Sequence, residues 1–187
     1  MVIIKTLTDE NFGLNTKQMI NPRKREAARG LVFNNEGKIA ILHKSKKNEY
    51  KLIGGGMDDG ENSENTFKRE VLEETGCVVE IDKLLGKIIE IKSQDNFIQI
   101  SYVYLSHVIE DTGNKHLTAQ EIGEESICMW LDIDEAMNLI KDSENKLVAS
   151  QYDGELSVYH TKFIVRRDYE ILKYYKNYQE FLSMNKS

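Results

Sequence analysis

Apolar and polar residues alternate with a period of two along several stretches of this chain, and along two others with the longer period of a helix. Ala27 to Phe33 and Lys38 to Lys44 read as strands, with a turn signal in Asn34-Asn35-Glu36-Gly37 between them. Tyr50 to Ile53 is a short extended segment that delivers the chain to Gly54-Gly55-Gly56. Val78 to Ile81, Gly86 to Ser93, Ile98 to Val108 and Ile127 to Leu131 complete the predicted strands. In the third of these, Ile98, Ile100, Tyr102 and Tyr104 share one face and Gln99, Ser101, Val103 and Leu105 the other.

The helical period first appears after the glycines. Phe67, Val71 and Thr75 fall on one face of a helix that Asn62 or Ser63 can cap and that Gly76 can stop. A second helix follows Asp132, with Asp132 and Glu135 spaced as a capping box and Ala136, Leu139 and Ile140 turned inward. A third runs from Thr161 to about Met184, and its Ile164, Ile171, Leu172, Tyr175 and Leu182 suit a core contact, with a homodimer interface as the alternative. Mixed strands and helices without an internal repeat or linker predict one α/β or α+β domain over residues 1–187.

Composition narrows the class. Residues are 40% hydrophobic and 30% charged, as in ordinary globular chains. A net charge of −6 argues against a broad nucleic-acid surface, which needs a basic field. It leaves open a phosphorylated small molecule, because bound metal reverses the local sign. The opening Met-Val-Ile-Ile meets Lys5 too soon for a signal-peptide core, and no apolar run reaches the length of a membrane span, so a cytoplasmic protein without a membrane partner is expected. Cys77 and Cys128 lack metal-ligand spacing and read as structural thiols.

The first helix carries the chemistry. At about 100° per residue, Glu70, Glu73 and Glu74 project together beside the apolar face. Crowded carboxylates repel, and a hard divalent cation with oxygen ligands removes that cost. Mg²⁺ suits the case, because substrate phosphates and waters complete its octahedron, and such ions can bridge a pyrophosphate and acidify the attacking water. Gly55 and Gly56 form a candidate phosphate loop, in which backbone approaches metal or phosphate without an intervening Cβ. A dinucleotide-binding G-x-G-x-x-G is not formed, and an EF-hand loop from Asp58 or Asp59 lacks its sixth-position glycine.

The string from Gly55 to Cys77 fits G-x₅-E-x₇-R-E-U-x-E-E-x-G-U, where U is bulky and apolar, with only Cys77 a weak match. It resembles the signature of the Nudix hydrolases. The resemblance implies an α/β/α sandwich around a mixed sheet, over about residues 26–142, with an N-terminal extension and an added C-terminal helix. It implies metal ligation by Glu70, Glu73 and Glu74 and by the Gly54 carbonyl, with Mg²⁺ or Mn²⁺ as cofactor, and support from Glu61 and Arg69. The catalytic base would be a glutamate of the box, Glu73 or Glu74, or one on the later loop, where Glu121 is preferred to Glu125 and Glu124. The expected reaction is cleavage of a pyrophosphate bond in a nucleoside diphosphate linked to another moiety, X. The alternative is a non-catalytic Nudix-fold module that binds a nucleotide or a protein.

Two positions depart mildly from common family patterns, Ile53 before the glycines and Asp58 between them and Glu61. The proline that often marks relatives cleaving ADP-ribose is absent, since Pro22 is the only proline. Lys92, Ser93 and Gln94 occupy the window where relatives acting on diadenosine polyphosphates often place a tyrosine. The Ser-Gln-Pro-Trp block of the NADH-cleaving subgroup is also missing. Phe97, Tyr102, Tyr104 and Trp130 could stack on a base but read first as core. The four histidines read as structural or exposed, and Arg23, Lys24 and Arg25 as a basic cluster that is solvated or near substrate phosphates.

Overall fold

A computed structural model describes residues 1–147 and 154–184. Seven strands, β1 (Ile3–Thr8), β2 (Arg23–Phe33), β3 (Ile39–Lys44), β4 (Glu49–Gly56), β5 (Cys77–Lys92), β6 (Phe97–Asp111) and β7 (Ser126–Leu131), form one sheet in the order β1-β5-β6-β2-β4-β3-β7. The sheet is mixed, since β1 runs parallel to β5 and β2 parallel to β6, while the remaining pairs are antiparallel. Helix α1 (Ser63–Thr75) covers one face, burying Phe67 and Val71 against Ala28, Val32, Ile53 and Val79. Helices α3 (Ile133–Asn145) and α4 (Glu155–Met184) cover the other, where Ile140, Phe163, Ile171 and Leu172 meet Leu31, Ile41, Leu52 and Val103. This is the expected α/β/α sandwich with an added C-terminal helix. Ile171, Leu172 and Tyr175 of α4 are buried within their own chain, and Ile164 and Leu182 are half-buried. Among the described residues no helix is long and apolar enough to cross a membrane.

One irregularity shapes the molecule. Strand β4 pairs with β3 through Glu49–Leu52 and with β2 through Ile53–Gly56, while β2 and β3 meet directly at Phe33 and Ile39. The sheet therefore splays into two arms, and β4 crosses from one to the other. Backbone donors at the crossing lose their strand partners and need replacements. Asp168 of α4 accepts from Leu52 N at 2.9 Å, and Glu74 of α1 accepts from Gly54 N at 2.9 Å. Asp168 is in turn held by Arg167 Nε at 2.7 Å, and Arg167 reaches Glu90 at 3.2 Å.

Several elements differ from the sequence reading. β1 was not foreseen, because Ile3 and its neighbours are exposed at the sheet edge and show no buried alternation. The two segments expected at 78–81 and 86–93 are one strand, β5, in which register shifts near Val78, Ile81 and Leu84 break the period. β2 begins at Arg23, and α4 at Glu155 rather than Thr161. Asp132 stands at the N-cap of α3 but makes no side-chain capping bond, whereas Asn62 caps α1 through Asn65 N.

Asp168→Ala should cost about 3–5 kcal/mol, because it leaves the buried Leu52 amide without its acceptor and the buried Arg167 guanidinium with Glu90 alone. Arg166→Ala, which breaks the partly exposed pair with Glu144, should cost about 1 kcal/mol or less. Denaturant midpoints of the two variants check the contrast.

Candidate active site

The acidic helix docks on the glycine end of β4. Successive residues of a strand face opposite ways, and the three glycines follow that rule. A Cβ on Gly55 would fall 2.4 Å from Glu70 Oε1, one on Gly54 would fall 2.6 Å from the Arg29 Cβ, and one on Gly56 would fall 2.2 Å from Arg25 Nη2. Gly54 also has a φ of +137°, which side chains rarely adopt. The glycines expected to admit a phosphate thus first of all admit the chain's own charged side chains.

The three box glutamates do not form a ready cage. Among the described residues no group of three acidic, histidine or cysteine side chains is arranged to hold a metal ion. Each carboxylate instead turns to a cation of the chain. Glu70 lies 2.9 Å from Arg69 Nη1, Glu73 lies 3.1 Å from the same nitrogen, and Glu74 lies 2.8 Å from Lys51 Nζ. Arg69 also grips Glu61 with two bonds, at 2.8 and 3.0 Å, and reaches the Gly56 carbonyl at 3.2 Å. Glu61 adds Thr66 Oγ1 and Asp58 N as donors, so one Arg–Glu pair ties the glycine loop to α1. Those hydrogen bonds, Arg69 foremost, hold Glu61 down at about 2.

Glu74 is 1% exposed, and burial pushes its carboxyl up to about 7 although Lys51 and the Gly54 amide both favour the ionised form. Burial also works against the charge on Lys51, but Glu74 and then Glu121 outweigh it and raise the ammonium. Burial likewise raises Glu70, opposed by Arg69.

The later loop reaches this cluster. Helix α2 (Ala119–Gly123) is capped by Thr118, whose N and Oγ1 both bond Glu121 Oε2 at 2.9 Å. The other oxygen, Oε1, faces Lys51 Nζ at 3.9 Å. Burial opposes its ionisation, yet the Thr118 amide and Lys51 win and keep Glu121 low. Its two rivals are placed elsewhere. Glu124 is buried against Lys44 and Lys47, at 3.1 and 3.0 Å, and Glu125 pairs with Lys46 at 3.5 Å while exposed.

Lys51, Arg29 and Arg167 were not foreseen. Lys51 left one signal, a charge in the otherwise apolar run Tyr50 to Ile53. Arg29 hid in the predicted strand Ala27 to Phe33, and Arg167 in the C-terminal helix. Of the basic cluster, Arg25 lines a cavity beside the glycines, whereas Arg23 pairs with Asp95 at 2.7 Å. Tyr104 and Phe97 are buried, and the Tyr104 ring stacks on Phe67 with its hydroxyl 2.7 Å from Ser63 Oγ. Cys77 is buried and Cys128 half-buried, and both are free.

Similarity to known proteins agrees with this architecture. Residues 23–151 match a family profile described as NUDIX domain. The uncharacterized Nudix hydrolase YvcI of Bacillus subtilis (strain 168) is 22% identical over 144 residues, spanning 76% of this chain and 89% of the relative. A MutT-like protein of Streptomyces ambofaciens is 35% identical over 57 residues, 30% of this chain and 37% of that protein. The structure of a NUDIX hydrolase from Nitrosomonas europaea superposes with a TM-score of 0.53 at 16% identity, covering 79% of this chain and 88% of the other, which is a likeness of fold.

In metal-chelated buffer the burial of Glu74 should appear as a pH dependence of stability. Between 4.5, its ordinary value, and about 7, the native protein retains a proton that the unfolded chain has lost. Stability should therefore fall as pH rises through that window and level off above it. Urea midpoints measured across the window check this, and Glu74→Gln should flatten that part of the profile.

Proposed function

The chain belongs to the Nudix hydrolase family, and on that premise we propose that it is a divalent-metal-dependent pyrophosphohydrolase of nucleoside diphosphates linked to a further moiety. The reaction is attack of water on one phosphorus of the pyrophosphate, releasing a nucleoside monophosphate and phosphorylated X. One observation carries the reading. Lys51 sits between the buried carboxylate of Glu74 and the loop carboxylate of Glu121, beside a glycine strand and a cation-lined cavity.

The donor set fits a hard cation. Glu70, Glu73 and Glu74 with the Gly54 carbonyl would hold Mg²⁺ or Mn²⁺, all through oxygen, and the Cβ-free cradle at Gly55 brings the Glu70 carboxylate onto the backbone. When bound, such an ion supplies charge neutralisation on the phosphates and acidification of water. Glu121 is the proposed general base. Thr118 fixes one of its oxygens and leaves the other toward the site, ionised at neutral pH. Glu73 and Glu74 act as ligands in this scheme rather than as proton acceptors. Arg69 and Glu61 hold the helix and the glycine loop in register and so act by positioning.

Phosphate release should be followed with a coupled phosphatase over nucleotide sugars, ADP-ribose, nucleoside di- and triphosphates and dinucleoside polyphosphates. Turnover is expected with Mg²⁺ or Mn²⁺, lost in EDTA and lost in Glu74→Gln. Glu121→Gln should lower kcat about 10²–10⁴-fold with a smaller change in KM. Undiminished turnover in Glu121→Gln would remove the base from that loop. Silence over the whole panel would favour the non-catalytic binding module.

A further inference from the structure

The cavity beside the glycine strand contains a charge that no hydrogen bond or ion pair among the described residues answers directly. Its volume is about 160 Å³, and its cationic wall consists of Arg25, Arg29, Lys44, Lys51 and Arg167. Three of the five are spoken for. Lys44 lies 3.1 Å from Glu124, Lys51 lies 2.8 Å from Glu74, and Arg167 lies 2.7 Å from Asp168. Arg25 stands exposed at the mouth. Arg29 is different: only 4% of it is exposed, its Nε is buried with no hydrogen-bond partner, and it makes no ion pair among the described residues.

That arrangement is costly, and the sequence keeps it at some trouble. An unpaired buried charge is among the least favourable things a core can hold. Burial, and then the nearby Arg167, push the Arg29 guanidinium down to about 10 against the longer-range pull of Asp168, Glu90 and Glu74, which still leaves it charged at neutral pH. The backbone of β2 at Ala28 and Arg29 lies so close to Gly54 that a Cβ there would fall 2.3 Å from the Ala28 carbonyl oxygen and 2.6 Å from the Arg29 Cβ. Ile164 is the one apolar side chain of the wall, and no aromatic ring lines it, so a nucleobase would find no stacking surface inside. A guanidinium fork matches an oxyanion in shape and charge.

We infer that Arg29, with Arg25 at the mouth, is the receptor for a terminal oxyanion of the substrate, so that this chain selects compounds carrying an anionic group beyond the bond that is cleaved. Selection among substrates rests on the hydrolase reading above, whereas anion binding at Arg29 does not. A terminal phosphoryl group and a carboxylate share the chemistry required.

The first test uses the full chain in EDTA, with thermal melting as the readout and inorganic triphosphate, phosphate, sulfate or malonate as probe. The wild type is expected to melt higher with the tetrahedral anions than without them. Arg29→Met should lose that rise and should melt above the wild type when no anion is present, because an apolar chain of similar length replaces a buried charge without a direct partner. Arg29→Lys should keep part of the rise. Arg23→Ala, whose pair with Asp95 lies outside the cavity wall, should keep all of it. A rise with malonate alone would assign the receptor to carboxylates. A rise that survives in Arg29→Met, or a lower anion-free melting point for that variant, would overturn the inference.

The second test compares kcat/KM for a nucleoside triphosphate with that for a nucleotide sugar. Arg29→Met should reduce that ratio about tenfold or more, the worth of one charge-assisted contact. An unchanged ratio would overturn the selectivity. If no compound is hydrolysed by any variant while Arg29→Met still abolishes the anion-induced rise, the receptor stands and the hydrolase reading falls.

Discussion

Everything peculiar to this molecule follows from the point at which β4 leaves β3 and joins β2. A strand that changes partners leaves main-chain donors facing nothing, and buried amides without acceptors are rarely tolerated. Here the acceptors are two carboxylates delivered from opposite faces, Glu74 from α1 to the Gly54 amide and Asp168 from α4 to the Leu52 amide. Both are essentially buried, so each charge needs its own counterion, Lys51 for the first and Arg167 for the second. The splay of the sheet, the docking of two helices and the presence of cations in the cavity are thus one problem solved together.

That linkage makes α4 part of the site rather than an appendage. Asp168 supports the crossing from behind, and Arg167 contributes to the cavity wall while bonding Asp168 and Glu90. Glu90, held down at about 2 by Arg167 and Lys92 despite full burial, completes a charged layer between the sheet and α4. Replacing such a layer with apolar side chains would often leave a core as stable or more so.

The legible part of the site in the sequence was the part built locally. Glu61, Arg69, Glu70, Glu73 and Glu74 lie on one loop and one helix, so fixed spacing reports their mutual placement directly. Glu121 could be named from its loop, and Thr118-Ala-Gln-Glu121 has the spacing of a capping box, but that spacing does not say that the glutamate faces Lys51. The remaining functional side chains come from β2, β4 and α4, brought together by register and crossing angle, which no single stretch encodes. Arg29 is the plainest case. In a strand read for its apolar face, a lone arginine looks solvated, and only the splay of the sheet turns it inward. The strands misjudged in extent failed for a related reason: β5 follows its partner through register shifts that break the alternation, and β1 is an edge whose outer face has nothing to bury.

The three glycines acquire a different meaning from the one their motif suggests. A glycine loop beside an acidic helix invites the thought of a bare backbone waiting for phosphate. Yet Gly55 makes room for Glu70 on one face, and on the other Gly56 makes room for Arg25 while Gly54 lets the backbone at Ala28 and Arg29 come close. The strand is thinned to its backbone, with the Glu70 carboxylate against one face and the Arg25 guanidinium against the other. Substitution at Gly55 should then disturb the acidic side and substitution at Gly54 or Gly56 the basic side, because the alternation of a strand, more than the flexibility of glycine, decides which function each residue protects.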